Sequence, residues 1–204
     1  MFNKGEIIIY GNSGVCEVTD IGVPAIGGID PSKSYYTLKP VFEAGMIYIP
    51  VNTQAFMRHT MSHDDAMKLI GKIPEISDEI YDNRNLNLLK EHYKTLLESY
   101  QCKDLIQIIK AVYAKEQRGL KIGKKLGQVD KFYMKKAEDM LHGEFAVALG
   151  IAKNDVKSFI EGKVNELLEK KADMKPESKP DIIATKARNM DNTSYDEGLS
   201  VGIA

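Results

Sequence analysis

The sequence has no tryptophan, only two cysteines among 204 residues, and a formal net charge of −1. Each scarcity excludes something. Without tryptophan, any aromatic anchor must be a tyrosine or a phenylalanine. Cys16 and Cys102 lie too far apart in sequence to suggest a disulfide framework, which fits a reducing cytosol, and each reads as a buried structural thiol. A near-zero total charge implies no partner, so only the distribution of charge along the chain carries information. No apolar run reaches membrane-spanning length, and the N-terminal MFNKGEIIIYG is too short in its apolar part for a signal peptide. The expectation is a cytoplasmic protein, complete as written, with no membrane contact.

Catalytic signatures are equally sparse. The chain shows no serine elbow, phosphate-binding loop or dinucleotide fingerprint. His59 and His63 are four residues apart, but a helix cap expected at Ser62 would keep them off a shared helical face, so no metal site is assigned. His92 and His142 are isolated. Glu138, Asp139 and Glu144 read as a solvated helix face rather than a carboxylate pair for acid–base work. The expectation is therefore no catalytic residue, no metal, no cofactor and no enzyme.

What is present is an apolar content of 43%, enough to build one domain or two small ones. From Gly5 to about Met57 the pattern is that of strands. Ile7 to Tyr10 is a β-branched and aromatic run that stops at the turn cluster Gly11-Asn12-Ser13-Gly14. Gly14 to Ile21 alternates, Ser34 to Lys39 carries Tyr35, Tyr36 and Leu38 before Pro40, and Met46 to Ile49 ends at Pro50. Short strands without intervening helices predict a small antiparallel barrel.

Beyond Arg58 the period changes. Ser62-His63-Asp64-Asp65 reads as an N-cap followed by acidic residues, so a helix is expected from there to about Ile70, before Gly71. Pro74 and the acidic residues near Asp78 predict a linker around 71–78. Four apolar series at helical spacing follow. They are Leu86, Leu89, Tyr93, Leu96 and Leu97; Leu105, Ile108, Ile109 and Val112; the stripe from Val129 through Tyr133, Ala137, Leu141 and Phe145 to Leu149; and Val156 to Leu168. Short connections between such helices favour a compact bundle. The fold class is α+β, with a barrel over 1–60, a helical domain over 61–172 and a disordered or loosely docked tail over 173–204.

Charge supplies the one strong functional lead. Between Gln101 and Lys136 ten cations face three carboxylates, a local excess of seven. Clustered lysine and arginine attract phosphate oxygens and gain from counterion release. A solvated lysine face on a helical domain accounts for the charge as well. The cluster precedes a helix start near Gly127, where free N–H groups can also meet a phosphate. Only Phe132 and Tyr133 interleave with the cations, which favours backbone contact with duplex DNA over base stacking on single strands.

These residues resemble a known family. The opening Phe2-Asn3-Lys4-Gly5-Glu6-Ile7-Ile8-Ile9-Tyr10, then Gly14-Val15, Tyr36, Leu38 and Ile49-Pro50, is similar to the RNA-polymerase-interacting domain of the CarD and CdnL transcription regulators. The same domain occurs in transcription-repair coupling factor. Separately, Gly123-Lys124-Lys125-Leu126 with Asp130, Ala137-Glu138, Leu141, Glu144 and Ala148-Leu149-Gly150-Ile151 resembles the C-terminal helical domain of those regulators. Together the two matches cover about residues 1 to 152.

The resemblance implies a Tudor-like barrel that docks on the β subunit of RNA polymerase. It also implies a helical domain that contacts promoter double-stranded DNA near the upstream edge of the bubble and stabilises the open complex. Lys131 matches a family DNA-contact lysine, and Arg84, Lys124, Lys125 and Lys135 complete the candidate DNA-binding set. The family's fork-wedging tryptophan is missing, and Tyr81 or Ile80 falls nearest its position. A basic position used by some relatives falls at Tyr48 and another near Pro24. The implied polymerase contact therefore runs through strand-edge pairing and apolar packing at Pro24, Tyr48, Ile49 and Pro50. A monomer associated with the nucleoid through polymerase is the corresponding expectation. The alternative is a protein-only adaptor of polymerase or another partner, without DNA contact.

Overall fold

The computed structural model describes residues 1–173. Five strands open the chain, β1 (Ile7–Tyr10), β2 (Gly14–Gly22), β3 (Tyr35–Pro40), β4 (Ile47–Pro50) and β5 (Met57–His59). Five helices follow, α1 (His63–Lys72), α2 (Leu86–Leu97), α3 (Cys102–Lys121), α4 (Gln128–Leu149) and α5 (Val156–Asp173). The fold class is α+β, as the change of period near Arg58 implies. Residues 174–204 lie outside the described part, and with them nearly all of the segment expected to be a tail.

The strands form one antiparallel sheet in the order β4-β3-β2-β1-β5. Its pairing is that of an open sheet, with β4 and β5 as the edges, and the small antiparallel barrel expected from sequence is present here as this sheet. β5 has three residues and pairs with β1. That strand was not anticipated, because Met57-Arg58-His59 is too short to show alternation. One face of the sheet buries Ile8, Cys16, Val18, Tyr36, Leu38 and Ile49 as a small core. A register shift between Val18 and Asp20 leaves Thr19 without a cross-strand partner, and its hydroxyl donates to the Thr37 carbonyl at 3.0 Å.

The opposite face is apolar too. Ile9 stands in register with Val15 on one side and Arg58 on the other, and both Ile9 and Val15 are buried. This face is covered by α4. The close approach depends on Gly143, where a Cβ would meet the Phe42 ring at 3.5 Å and Val15 at 3.7 Å. A methyl group would just fit there.

The helices share a second core. Leu89, Tyr93, Leu97, Leu105, Ile108, Val112, Leu141 and Phe145 are buried in it, together with Ala66 and Ile70 of α1 and Val156 of α5. The stripe read along α4 faces this core throughout, because its apolar groups recur at i, i+4 and i+7. Leu86 departs from its series. It stands in the first turn of α2, before that helix meets the core, and is 57% exposed.

Ser62 caps α1 by accepting from the Asp65 N–H at 3.1 Å, as its sequence position indicated. The helix continues past Gly71 to Lys72. The segment 71–78 then makes a single 3-10 turn over Ile73–Glu75 and buries Ile76. Lys110 donates from its ammonium to the Ile73 carbonyl at 2.9 Å and also to the Ile76 carbonyl. One lysine of the basic stretch is thus used to hold this turn against α3.

Glu144 corrects the sequence reading most sharply. Expected on a solvated helix face, it is 2% exposed. Its Oε2 accepts from the Arg58 guanidinium at 2.7 Å, and its Oε1 accepts from Arg58 and, at 3.0 Å, from the Met61 N–H. The Cys102 thiol donates to Oε2 at 3.0 Å. A buried carboxylate survives because a charged partner and these donors replace the lost water. The Arg58 Nη2 that donates to Oε2 also donates to the Tyr100 carbonyl at 2.9 Å. Tyr100 holds a left-handed backbone with φ 53°, which costs about 1 kcal/mol for a non-glycine residue. Its ring stacks on Phe56 at 4.3 Å, again joining helices to sheet.

Candidate nucleic-acid interface

The basic end of the helical domain is built by the turn between α3 and α4. At the C-terminus of α3, Gly123 adopts φ 68°, its N–H donates to the Leu120 carbonyl at 3.3 Å, and the Lys124 N–H donates to the Gly119 carbonyl at 2.9 Å. This paired closure is a Schellman motif, and it satisfies carbonyls that the helix end would leave open. It also sets the direction of the chain at Lys124 and Lys125. Gly119 is required for it, since a Cβ there would lie 2.8 Å from the Lys124 carbonyl oxygen.

Gly127 then caps α4 without any side-chain hydrogen bond at the cap. Asp130 in the first turn is 2% exposed. It accepts from the Tyr93 hydroxyl at 2.8 Å and pairs with Lys115 at 3.1 Å. Lys115 also reaches Asp82 at 2.9 Å, so one ammonium ties α3 to α4 and to the segment before α2. Burial works to lower the Lys115 pKa, but its bonds to Asp82 and Asp130 outweigh burial and hold it above the ordinary value. Hydrogen bonding to Lys115 holds Asp82 below its ordinary value. Burial, helped by Asp130, pushes the Tyr93 hydroxyl well up.

Lys115 and Lys110 are therefore internal braces rather than free cations. The candidates named from sequence sit differently. Arg84, Lys124, Lys125, Lys131 and Lys135 are all exposed. None of the five forms an ion pair among the described residues. Ile80, Asp82, Arg118, Lys124 and Lys125 line one cleft, so the segment carrying a wedge candidate and the basic turn share a site. Tyr81 is half-buried and stacks on His92 at 4.1 Å with rings 16° apart. Burial lowers the His92 pKa below its ordinary value. At the same end, Leu86 and Leu88 are exposed apolar groups that sequence reasoning had assigned to a core or passed over. Their exposure was legible only once the packed face of α2 was known.

The polymerase candidates lie at the other end of the molecule's sheet. Tyr48, Ile49 and Pro50 belong to the edge strand β4, whose outer side has no strand partner among the described residues. Ile49 points inward and is buried, so its part in any contact is confined to its backbone. Tyr48, opposite Thr37, and Pro50, opposite Tyr35, are half-buried. Pro24 lies in the loop after β2 and is also half-buried. Residues 2–61 match the model of the CarD-like/TRCF RID domain. The N-terminal sheet is similar to that domain. The match spans the whole sheet and ends just past Arg58, so the matched region includes the residue that anchors the sheet to α4. No curated protein matches the chain.

Proposed function

We propose that this protein is a non-catalytic transcription regulator whose RID domain engages the RNA polymerase β subunit while its helical domain contacts promoter duplex DNA and stabilises the open complex. One observation supports this above others: a sheet that matches the RID domain is fastened by the Arg58–Glu144 pair to a helical unit whose α3–α4 turn holds Lys124 and Lys125 exposed. The resemblance of residues 123–151 to the helical domain of CarD and CdnL regulators supports it too. A fixed orientation matters because two weak contacts on one rigid body add through effective concentration. Docking through the open edge of β4 would then carry Arg84, Lys124, Lys125, Lys131 and Lys135 to a fixed place on the DNA. The corresponding localisation is cytoplasmic and with the nucleoid, as a monomer.

The wedge is best supplied by the α2 end. Tyr81 is committed to His92, and Ile80 faces the cleft, whereas Leu86 stands free beside Arg84. An apolar side chain can support an unstacked step without being aromatic. The test is open-complex lifetime with polymerase and full-length protein. Leu86→Ser should shorten it more than Tyr81→Ala, and a lifetime indifferent to the protein itself defeats the reading.

Leu120, Ile122 and Phe132, all more than 60% exposed near the same lysines, favour a second reading as a protein-only adaptor. Exposed apolar groups of this size suit a protein partner. Absence of any DNA footprint in the presence of polymerase would select that reading.

A further inference from the structure

The cleft between the basic turn and the segment before α2 has features that duplex backbone contact does not use. Its volume is about 320 Å³, within the range of small-ligand sites, which run from roughly 300 to 1,000 Å³. Ile80, Ile122 and Leu126 give it apolar walls, and Arg118, Lys124 and Lys125 give it cations. None of these three cations has an ion-pair partner among the described residues. The lining carboxylate, Asp82, is already neutralised by Lys115 at 2.9 Å, so the cleft stays positive. Phosphate contact alone leaves the three aliphatic groups of the cleft without a partner. A nucleotide removed from its stack brings both parts, an apolar base face and a phosphate.

We infer that this cleft binds one unstacked nucleotide, its phosphate held by Arg118, Lys124 and Lys125 and its base laid against Ile80, Ile122 and Leu126. The nucleotide can come from an unpaired position in a DNA strand or from a free nucleoside polyphosphate. The strand source rests on the DNA-binding reading above; the free source does not. Ile122 is the discriminating residue. It is 67% exposed, makes no contribution to charge, and can be changed without touching any candidate phosphate contact.

The experiment uses the full chain in two arms. In the first, affinity is measured for a forked duplex with one unpaired nucleotide at the junction, for the same fork with an abasic site there, and for the closed duplex. In the second, ATP is compared with inorganic tripolyphosphate. The inference expects a base-dependent gain of about fivefold or more in at least one arm, the lower end of what base contacts contribute. Ile122→Ser should abolish that gain and leave closed-duplex and tripolyphosphate binding unchanged. A gain confined to the fork identifies a strand nucleotide, and one confined to ATP identifies a free nucleotide. No base-dependent gain in either arm overturns the inference, as does a gain that survives both Ile122→Ser and Leu126→Ser. Closed-duplex binding with no base dependence would leave the transcription reading standing while this one fails. Loss of all DNA binding with ATP binding intact would do the reverse.

Discussion

Arg58 on the last strand of the sheet and Glu144 on α4, 86 residues apart, meet through a two-pronged ion pair whose outer bond is 2.7 Å. The carboxylate is almost wholly buried, and the Arg58 side chain is 26% exposed. Burial opposes the charge on Arg58, yet Glu144 holds the guanidinium pKa above its ordinary value. The pair joins the N-terminal sheet to the helices near the point where Gly143 of α4 touches it.

Removing one member should therefore be costly. Arg58→Met leaves Glu144 buried without its cation and is expected to cost about 3 kcal/mol, the lower end for a broken buried pair, since Arg58 is partly solvated. Arg58→Met combined with Glu144→Leu should recover most of the loss. Urea unfolding of the three proteins checks this, and a wild-type midpoint for the single variant would contradict it.

Neutralising Lys124, Lys125 and Lys131 to glutamine should leave the fold intact, because all three are exposed and unpaired among the described residues. If each neutralises one DNA phosphate, the slope of log affinity against log salt should flatten by about 2 to 3. A titration series with an unchanged slope assigns these lysines to solvent.

Gly119→Ala removes no charge and would ordinarily strengthen a helix by up to about 1 kcal/mol. Here the added carbon would sit 2.8 Å from the Lys124 carbonyl oxygen, so the closing turn must open. Faster amide exchange at Lys124 and weaker DNA binding are expected, with little change in the remaining amides. Unaltered exchange at Lys124 would show that the turn absorbs the methyl group.

Stability should fall between about pH 7.5 and about pH 5.5. Burial, with Lys153 and Lys157, holds His142 below the ordinary value of 6.5, while Asp139 opposes them. The unfolded chain then takes up the proton first as pH drops, so the stability present above that value is lost below it. His92, lowered by burial, acts in the same sense. Glu138, raised by burial, acts in the opposite sense at more acidic pH. Unfolding midpoints at the two pH values should differ less for His142→Gln than for wild type.

Four of the five strands and the burying stripe of α4 were legible because their side chains repeat with the period of the element. β5 was not, since three residues cannot display a period, and with it went the partner that makes Glu144 a buried group. Glu138, Asp139 and Glu144 look alike in sequence. Only the direction of each around α4, and the arrival of Arg58 from the sheet, separates a half-buried carboxylate, an exposed one paired with Lys153 at 3.4 Å and a buried ion-pair member.

The lysine cluster shows the same division. Ten cations in a short stretch are a property of composition, and sequence alone determined that this part of the chain is positive. Which of them are free was decided in three dimensions, where Lys110 caps backbone carbonyls, Lys115 braces two carboxylates, and Lys124 and Lys125 are held out by the turn that Gly119 and Gly123 permit. Local periodicity and charge are written along the chain, whereas pairing between distant groups depends on the packing that brings them within a few ångströms.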